Sequence, residues 1–586
     1  MCIKIYSNSL LMKRSNFSTL KNLFNSSFNV YTNKYSVSSK EFFNDVYLMN
    51  KKLLYYINDY FKLNDESNYN VKKIGSLFPP CYSQLISKFC ILMNNFDFIS
   101  IPTPIKKSIQ IKEKYAFFLS ENNTSLILCH PFYKHYIEEI SFNLQIPFLI
   151  CYDKPDILSH EEYLEDLQEG KENFSEKFLY DSKKYEKYKN KEKELLNEMK
   201  NIYFNNGKIK NKEKTNEKHF IEKWEELKDK NNVSIHLQLS KENECDKSIK
   251  FLLSNIFNQS KNFNKIMKFN EKDNVLLCIP PNNIQYFDII FSVIHAGGTI
   301  VFPEVNKNKL INNNDYMKWF KNNMKKKNNN FSIHNLIIKN DFINSDFYFI
   351  DALSLFEEIQ QSEKFISVLV CNNYLIRDFI FFFENSEINN ITKNEFINNK
   401  ASNVRIILIN GNEIMPGINK KYLEKIKKIF INAKIYQRYV IQEIGTVCLM
   451  ELSQLEDENI KYERNIAGYL LPDINIKIDS KTNILKIKSD NLFTEYYNNN
   501  NVTSNSFDEN GFFKTKYIVS IKEDSLLRIE GIHNEIKNLP EEYYLYFKQR
   551  RDKMEKLPPG YLKRVRLHGQ IWGNFHANKK NWKRKF

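Results

Sequence analysis

The sequence predicts an α/β protein built on a largely parallel sheet. Three observations carry this. Short apolar, β-branched runs bounded by turn residues occur at 125–128, 148–151, 275–279, 299–302, 367–370 and 405–409, and read as buried strands. Amphipathic stretches at 133–144, 284–295 and 421–430 fall between them and read as helices. From about residue 460 the apolar period shortens to two, at 475–478 and 484–488, as in half-exposed antiparallel strands. Strands alternating with helices require crossover connections, which place successive strands parallel; the period-two stretch adds a small β subdomain.

Composition limits the function classes. With 586 residues, 42% hydrophobic and 14% aromatic, the chain can bury a large core without staples. Glycine is scarce, at 14, and this matters because phosphate-cradling loops depend on it. Nine scattered cysteines form no CxxC pair, which excludes a zinc ribbon or thioredoxin motif and fits a reducing compartment. No run approaches 18 apolar residues, so no membrane span is expected. The formal net charge of +16 favours an acidic partner: nucleic acid, anionic lipid or an acidic protein.

The expected organisation follows from these textures. Residues 1–40 carry Lys4, Lys13, Arg14, Lys21, Lys34 and Lys40 without one acid, and Leu20, Leu23 and Phe24 share a helical face. This reads as a mitochondrial presequence delivering the protein to the matrix; the alternative is a basic terminus of an Asn/Lys-rich chain. Residues 41–160 form a first α/β part, 161–235 a charged helical insertion, and 236–450 a second α/β part interrupted by Asn/Lys-rich 305–345. Residues 451–537 form the β subdomain and 538–586 a basic aromatic tail.

The order of segments is similar to the large N-terminal domain of the adenylate-forming superfamily, within it most like the mitochondrial malonyl-CoA-synthetase-type acyl-CoA synthetases. The resemblance rests on the run from Asp273 to Pro280, on Ala296-Gly-Gly-Thr-Ile-Val-Phe-Pro-Glu304, and on Ile407-Leu-Ile-Asn-Gly-Asn-Glu-Ile-Met-Pro416. Tyr436-Gln-Arg-Tyr-Val-Ile-Gln-Glu-Ile-Gly445, Phe493-Thr-Glu-Tyr-Tyr497 and Asp508-Glu-Asn-Gly-Phe-Phe-Lys-Thr515 continue it. With gaps, it covers residues 75 to 535. It implies parallel-sheet α/β subdomains, a small β subdomain, and an ancestral reaction joining a carboxylate to AMP and then to CoA.

That reaction brings two anions together, so it needs backbone donors around phosphate, Mg²⁺ and a cation at the reacting centre. The resemblance implies a Gly/Ser/Thr-rich phosphate loop before Asp273, yet between 152 and 296 the only glycines are Gly170 and Gly207. The stretch 233–240 reads as the strand that remains. A His-rich turn is replaced by Pro280-Pro-Asn-Asn-Ile-Gln-Tyr286, the ribose-gripping Asp by Lys516-Tyr517, and an Arg by Ile532. The family's catalytic-lysine domain is not recognisable after Gly531. The resemblance leaves Gly411, Tyr439, Glu443 and Thr515 as a vestigial nucleotide pocket. Glu443 takes the position of a Mg²⁺-linked Glu, or a structural place at a helix start.

From Leu557 to Phe586 the chain has eight basic residues and no acid: Lys563, Arg564, Arg566, Lys579, Lys580, Lys583, Arg584 and Lys585, interleaved with Trp572 and Trp582. Cations neutralise phosphates while aromatics stack on unpaired bases, so RNA is the expected partner; a protein groove or a solvated end are the alternatives. The expectation is a catalytically degenerate relative, without cofactor or metal, serving as an RNA- or protein-binding subunit of a mitochondrial assembly, foremost the mitochondrial ribosome. A small-molecule substrate is not expected. The alternative is a divergent AMP-forming acyl-CoA synthetase using ATP, Mg²⁺ and CoA.

Overall fold

The computed structural model describes residues 28–57 and 72–102 with short breaks, 109–151, 233–238, 248–303, 350–411 with short breaks, 416–452, and 463–533 except 523. The expected insertions and the basic tail, with all its proposed RNA-binding residues, therefore fall wholly or almost wholly outside the described residues.

Among the described residues twenty strands form two sheets. In chain order they are β1 (Asn29–Thr32), β2 (Tyr35–Ser38), β3 (Lys73–Leu77), β4 (Asp97–Ser100), β5 (Leu126–Cys129), β6 (Phe148–Ile150), β7 (Ser234–Gln238), β8 (Ser248–Leu252), β9 (Asn274–Leu277) and β10 (Thr299–Val301). They continue as β11 (Val368–Asn372), β12 (Ile406–Asn410), β13 (Lys434–Ile441), β14 (Gly445–Glu451), β15 (Ile466–Leu470), β16 (Asn475–Ile478), β17 (Ile484–Lys488), β18 (Glu495–Tyr496), β19 (Phe513–Ile521) and β20 (Leu527–Ile532). The larger sheet runs β16-β17-β19-β20-β15-β14-β13-β12-β11-β9-β10-β1-β2, and the smaller β18-β8-β7-β4-β3-β5-β6. Pairing is parallel from β13 through β12, β11, β9 and β10 to β1, and antiparallel from β13 to β14 and throughout the small β subdomain.

Side-chain alternation builds the layers. Val368, Val370, Ile406 and Leu408 face an interior core shared with the smaller sheet's Ile74, Leu126 and Leu128. Leu369, Cys371, Ile407 and Ile409 face the opposite way, onto an outer helical layer, and Leu77, Ile127 and Cys129 do the same for the smaller sheet. Helices α1 (Tyr82–Met93), α2 (Ile109–Glu121), α3 (Lys134–Leu144), α4 (Leu253–Met267), α5 (Ile284–Ala296), α6 (Ala352–Gln361), α7 (Asn373–Asn385) and α8 (Lys420–Ile429) fill these layers. Residues of α1, α4 and α5 join the interior core, those of α2 and α3 cover the smaller sheet, and those of α6, α7 and α8 cover the larger. With both faces covered, β11 and β12 are buried along their whole length, which is why they read as continuous apolar runs. α5 is buried almost all round and ends at Gly297, whose φ of 75° is the left-handed cap that favours glycine.

Two expectations about the first 250 residues meet a different arrangement. The segment read as a presequence overlaps the fold: β1 pairs in parallel with β10, β2 folds back on β1, and Val30 and Val37 are fully buried. Cleavage at 40 would strip these two strands from the sheet. The smaller sheet also draws on both sides of the long insertion, because β7 pairs with β4 although 133 residues separate their nearest ends.

Candidate functional site

Open parallel sheets bind ligands beyond the C-terminal ends of their strands. Here those ends carry Asn372 on β11, Asn410 and Gly411 at the end of β12, and the tight turn between β13 and β14. The backbone N–H of Gly411 donates to the Arg438 carbonyl at 2.8 Å. A Cβ at Gly411 would stand 2.6 Å from the Pro416 oxygen, so glycine is required by close approach of the following loop.

The other sequence-predicted residues are placed as follows. Tyr439 is fully buried, its ring edge-on to Tyr517 at 6.2 Å. Tyr517, at the position where the resemblance expects a ribose-gripping Asp, belongs to the same interior core. The Thr515 hydroxyl donates inward to the Leu485 carbonyl at 2.7 Å and accepts from the Tyr517 N–H at 3.2 Å. Glu443 lies not at a helix start but in the β13–β14 turn, because Ile441 and Gly445 close a hairpin there. Its carboxylate accepts from the Tyr496 hydroxyl at 3.1 Å, and its carbonyl from Phe493 N–H at 2.9 Å. Tyr439 and Tyr517 are thus brought together, while Glu443 is engaged with the β18 segment and Thr515 with β17.

Where the resemblance expects the phosphate loop, β7 and β8 form an antiparallel hairpin. The nine residues joining them, 239–247, read Leu-Ser-Lys-Glu-Asn-Glu-Cys-Asp-Lys: no glycine, three acids and two lysines. A triphosphate needs clustered N–H donors in a glycine-permissive backbone, and acids repel it. The strand read at 233–240 is β7.

Three buried polar clusters escape sequence reasoning. Arg438 on β13 and Asp288 on α5 form an ion pair with both side chains at 0% exposure. Arg438 also donates through Nε to Thr446 Oγ1 at 2.7 Å, and its guanidinium lies over the Phe263 ring at 4.7 Å. Burial pushes the Asp288 carboxyl up to about 6, against the pull of Arg438, and lowers Arg438 to about 10, against the pull of Asp288. The legible signal is a single charge inside each of two apolar runs.

The second cluster joins Asp97, Asn122, Ser234, His236 and Ser248. The Ser234 hydroxyl donates to Asp97 at 2.6 Å and lies 3.0 Å from His236 Nε2; His236 Nδ1 lies 3.0 Å from Asn122 Oδ1, which accepts from Ser248 at 2.8 Å. Ser, His and Asp meet, but Ser and Asp share the same ring nitrogen and His236 is fully buried. A nucleophile needs the acid on the far side of the ring and an open face, so this network braces the smaller sheet. Burial lowers the His236 pKa, partly offset by Asp97. Below about 6.5 the unfolded histidine therefore takes up a proton that the folded one resists. Stability should fall as pH drops through that value, by at most about 1.4 kcal/mol per pH unit. His236→Gln should flatten this segment of a Tm-against-pH curve; an unchanged slope would assign it to other groups.

The third cluster is the row Asn372, Asn410 and Arg438, register partners on three neighbouring strands, with Gln285 of α5 accepting from Asn410 Nδ2. Among the described residues no group of His, Cys, Asp and Glu is arranged to hold a metal ion, and no helix is long and apolar enough to cross a membrane. The seven described cysteines are buried free thiols.

No protein-family model matches the chain, and no curated protein sequence matches it. Solved structures do. Apo MatB from Rhodopseudomonas palustris superimposes with a TM-score of 0.54 at 10% identity, over 88% of this chain and 78% of that one. The O-succinylbenzoate coenzyme A synthetase of Bacillus subtilis, in complex with AMP, gives 0.53 at 10%, over 89% and 79%. The luciferase-like enzyme of the mealworm Zophobas morio gives 0.54 at 12%, over 89% and 95%. At these identities the likeness is one of fold: the chain shares the mixed α/β fold of these three structures.

Proposed function

We propose that the protein is a catalytically silent acyl-CoA-synthetase-like chain, retained as a non-catalytic subunit that binds RNA or protein in a mitochondrial assembly, with the mitochondrial ribosome the foremost candidate. One observation carries the silent reading: Tyr517, in the place of the ribose-gripping acid, is sealed in the core against Tyr439, and Thr515 beside it is spent on Leu485. The glycine-free β7–β8 connection supports it. Losing phosphate, ribose and carboxylate contacts together removes transition-state stabilisation at about 1.4 kcal/mol per tenfold of rate. The assembly role draws on the +16 charge and the acid-free tail around Trp572 and Trp582.

Purified protein given ATP, Mg²⁺ and a panel of short mono- and dicarboxylic acids should form no acyl-adenylate above the protein-free control. Turnover abolished by Glu443→Ala would instead support the divergent AMP-forming ligase, with ATP, Mg²⁺ and CoA as its cofactors. Gradient sedimentation of the tagged protein from gently lysed mitochondria should place it with large particles that collapse under RNase. Migration as a free chain in both samples would remove the ribosomal assignment.

A further inference from the structure

The row at the strand ends has a chemistry that a silent scaffold does not need. Asn372 and Asn410 are register partners on parallel β11 and β12. Two residues on from Val370 and Leu408, they face the interior layer rather than the outer helices. Both are nine-tenths buried, at 5% and 6% exposure. The orientation of the Asn372 amide is set by its own backbone surroundings: Oδ1 accepts from the N–H groups of Tyr374 and Leu375 at 2.9 and 2.8 Å, capping α7. Nδ2 is left as a donor with no partner among the described residues. The Asn410 amide donates to Gln285, which leaves its Oδ1 as an acceptor without a partner. Asn373, which follows Asn372 in the chain, donates through Nδ2 to the Pro416 carbonyl at 3.2 Å, and its Oδ1 is likewise unmatched. A free donor and a free acceptor thus stand on adjacent strands, and no hydrogen bond joins them.

We propose that this edge is a binding site for a small uncharged ligand presenting a carboxamide, its carbonyl oxygen taken by Asn372 Nδ2 and its N–H by Asn410 Oδ1. A carboxylate fits poorly for two reasons. It has no hydrogen to give Asn410, so two acceptors would face each other. It also needs a cation, and Arg438, the third member of the row, is already closed on Asp288 with both side chains fully buried. An ammonium fails on the other side, because it offers Asn372 no acceptor. Buried polar atoms without partners are costly to leave so, and a ligand that supplies both partners is selected over one that supplies one. The inference goes beyond the non-catalytic reading, giving the protein a ligand-responsive site that performs no turnover.

The test uses the full-length protein and matched pairs of probes differing only in the group read: acetamide and acetate, benzamide and benzoate, nicotinamide and nicotinate. Binding is followed by saturation-transfer NMR titration. The amide of at least one pair should bind saturably and about tenfold or more tighter than its carboxylate. Asn372→Asp keeps the α7 cap while replacing the free donor by an acceptor, and should weaken the amide by about tenfold. Asn410→Leu, which removes the acceptor without touching the cap, should do the same and serves if the first variant does not fold. The proposal is overturned if no amide saturates below about 10 mM, if carboxylates bind as well, or if affinity survives in the folded variants. Adenylate formation is read separately with ATP, so failure of the silent reading and failure of this one are distinguishable.

Discussion

Arg438→Met should destabilise the protein by about 3–5 kcal/mol. The guanidinium reaches from β13 to α5, where it meets Asp288, and it holds Thr446 on β14 at the same time. Removing it leaves a carboxylate at 0% exposure whose remaining hydrogen bond comes from the Thr446 hydroxyl at 3.2 Å. Asp288→Leu should cost a similar amount by stranding the cation. The double variant should recover most of the loss, since a buried pair replaced by apolar side chains of like volume is often neutral or better. Urea midpoints of the four proteins close the cycle, with a coupling of about 0.5–3 kcal/mol or more expected for groups in contact. A single variant losing under about 1 kcal/mol would mean that water reaches the pair. The pair also has a positional role. α5 is apolar on nearly every side, and the ion pair to β13, together with the Tyr286–Gln84 and Ser292–Ser260 hydrogen bonds, fixes its setting in the interior layer.

How much of this was legible follows from what each residue shows in one dimension. Strands at 126–129, 148–150, 274–277 and 406–410 stood out because burial on both faces demands continuous apolar residues. β16 and β17 have the predicted bounds because one face is solvated and the period is two. β1 and β2 were hidden by being four residues each inside an acid-free, Ser- and Asn-rich segment whose composition resembles a leader. α1 gave no helical stripe because it is buried on all sides while carrying Ser83, Gln84, Ser87 and Lys88. At the candidate site Tyr439 was legible from its segment, but its contact with Tyr517 depends on two sheet regions far apart in sequence. Asn372 and Asn410 were invisible for a different reason: in a chain this rich in asparagine, an Asn after an apolar run reads as a turn.

Lys88→Met should stabilise the protein at neutral pH by about 1–3 kcal/mol, the range for a polar group buried without a hydrogen bond. Lys88 is fully buried on α1, and its ammonium nitrogen has no hydrogen-bond partner among the described residues. It lies 3.7 Å from the ring centroid of Phe287, 4.6 Å from Tyr286 and 5.5 Å from Phe98. Burial holds its pKa well below the ordinary 10.5, while three aromatic faces pull the other way by favouring the cation. Between the folded pKa and 10.5 the unfolded chain binds a proton that the folded chain does not. Wild-type stability therefore gains a rising contribution across that window, and the advantage of Lys88→Met should shrink as pH approaches 10.5. Thermal melts of the two proteins across a pH series read both the gap and its closure. A variant less stable than wild type at pH 7 would show that the aromatic cage outweighs desolvation and that Lys88 is a charged tether of α1 to α5. A stabilised variant whose gap closes with pH would make Lys88 a cost carried in the core, and the hydrogen bond from Tyr286 to Gln84 at 3.1 Å, one helical turn away, would then supply the polar link between the two helices.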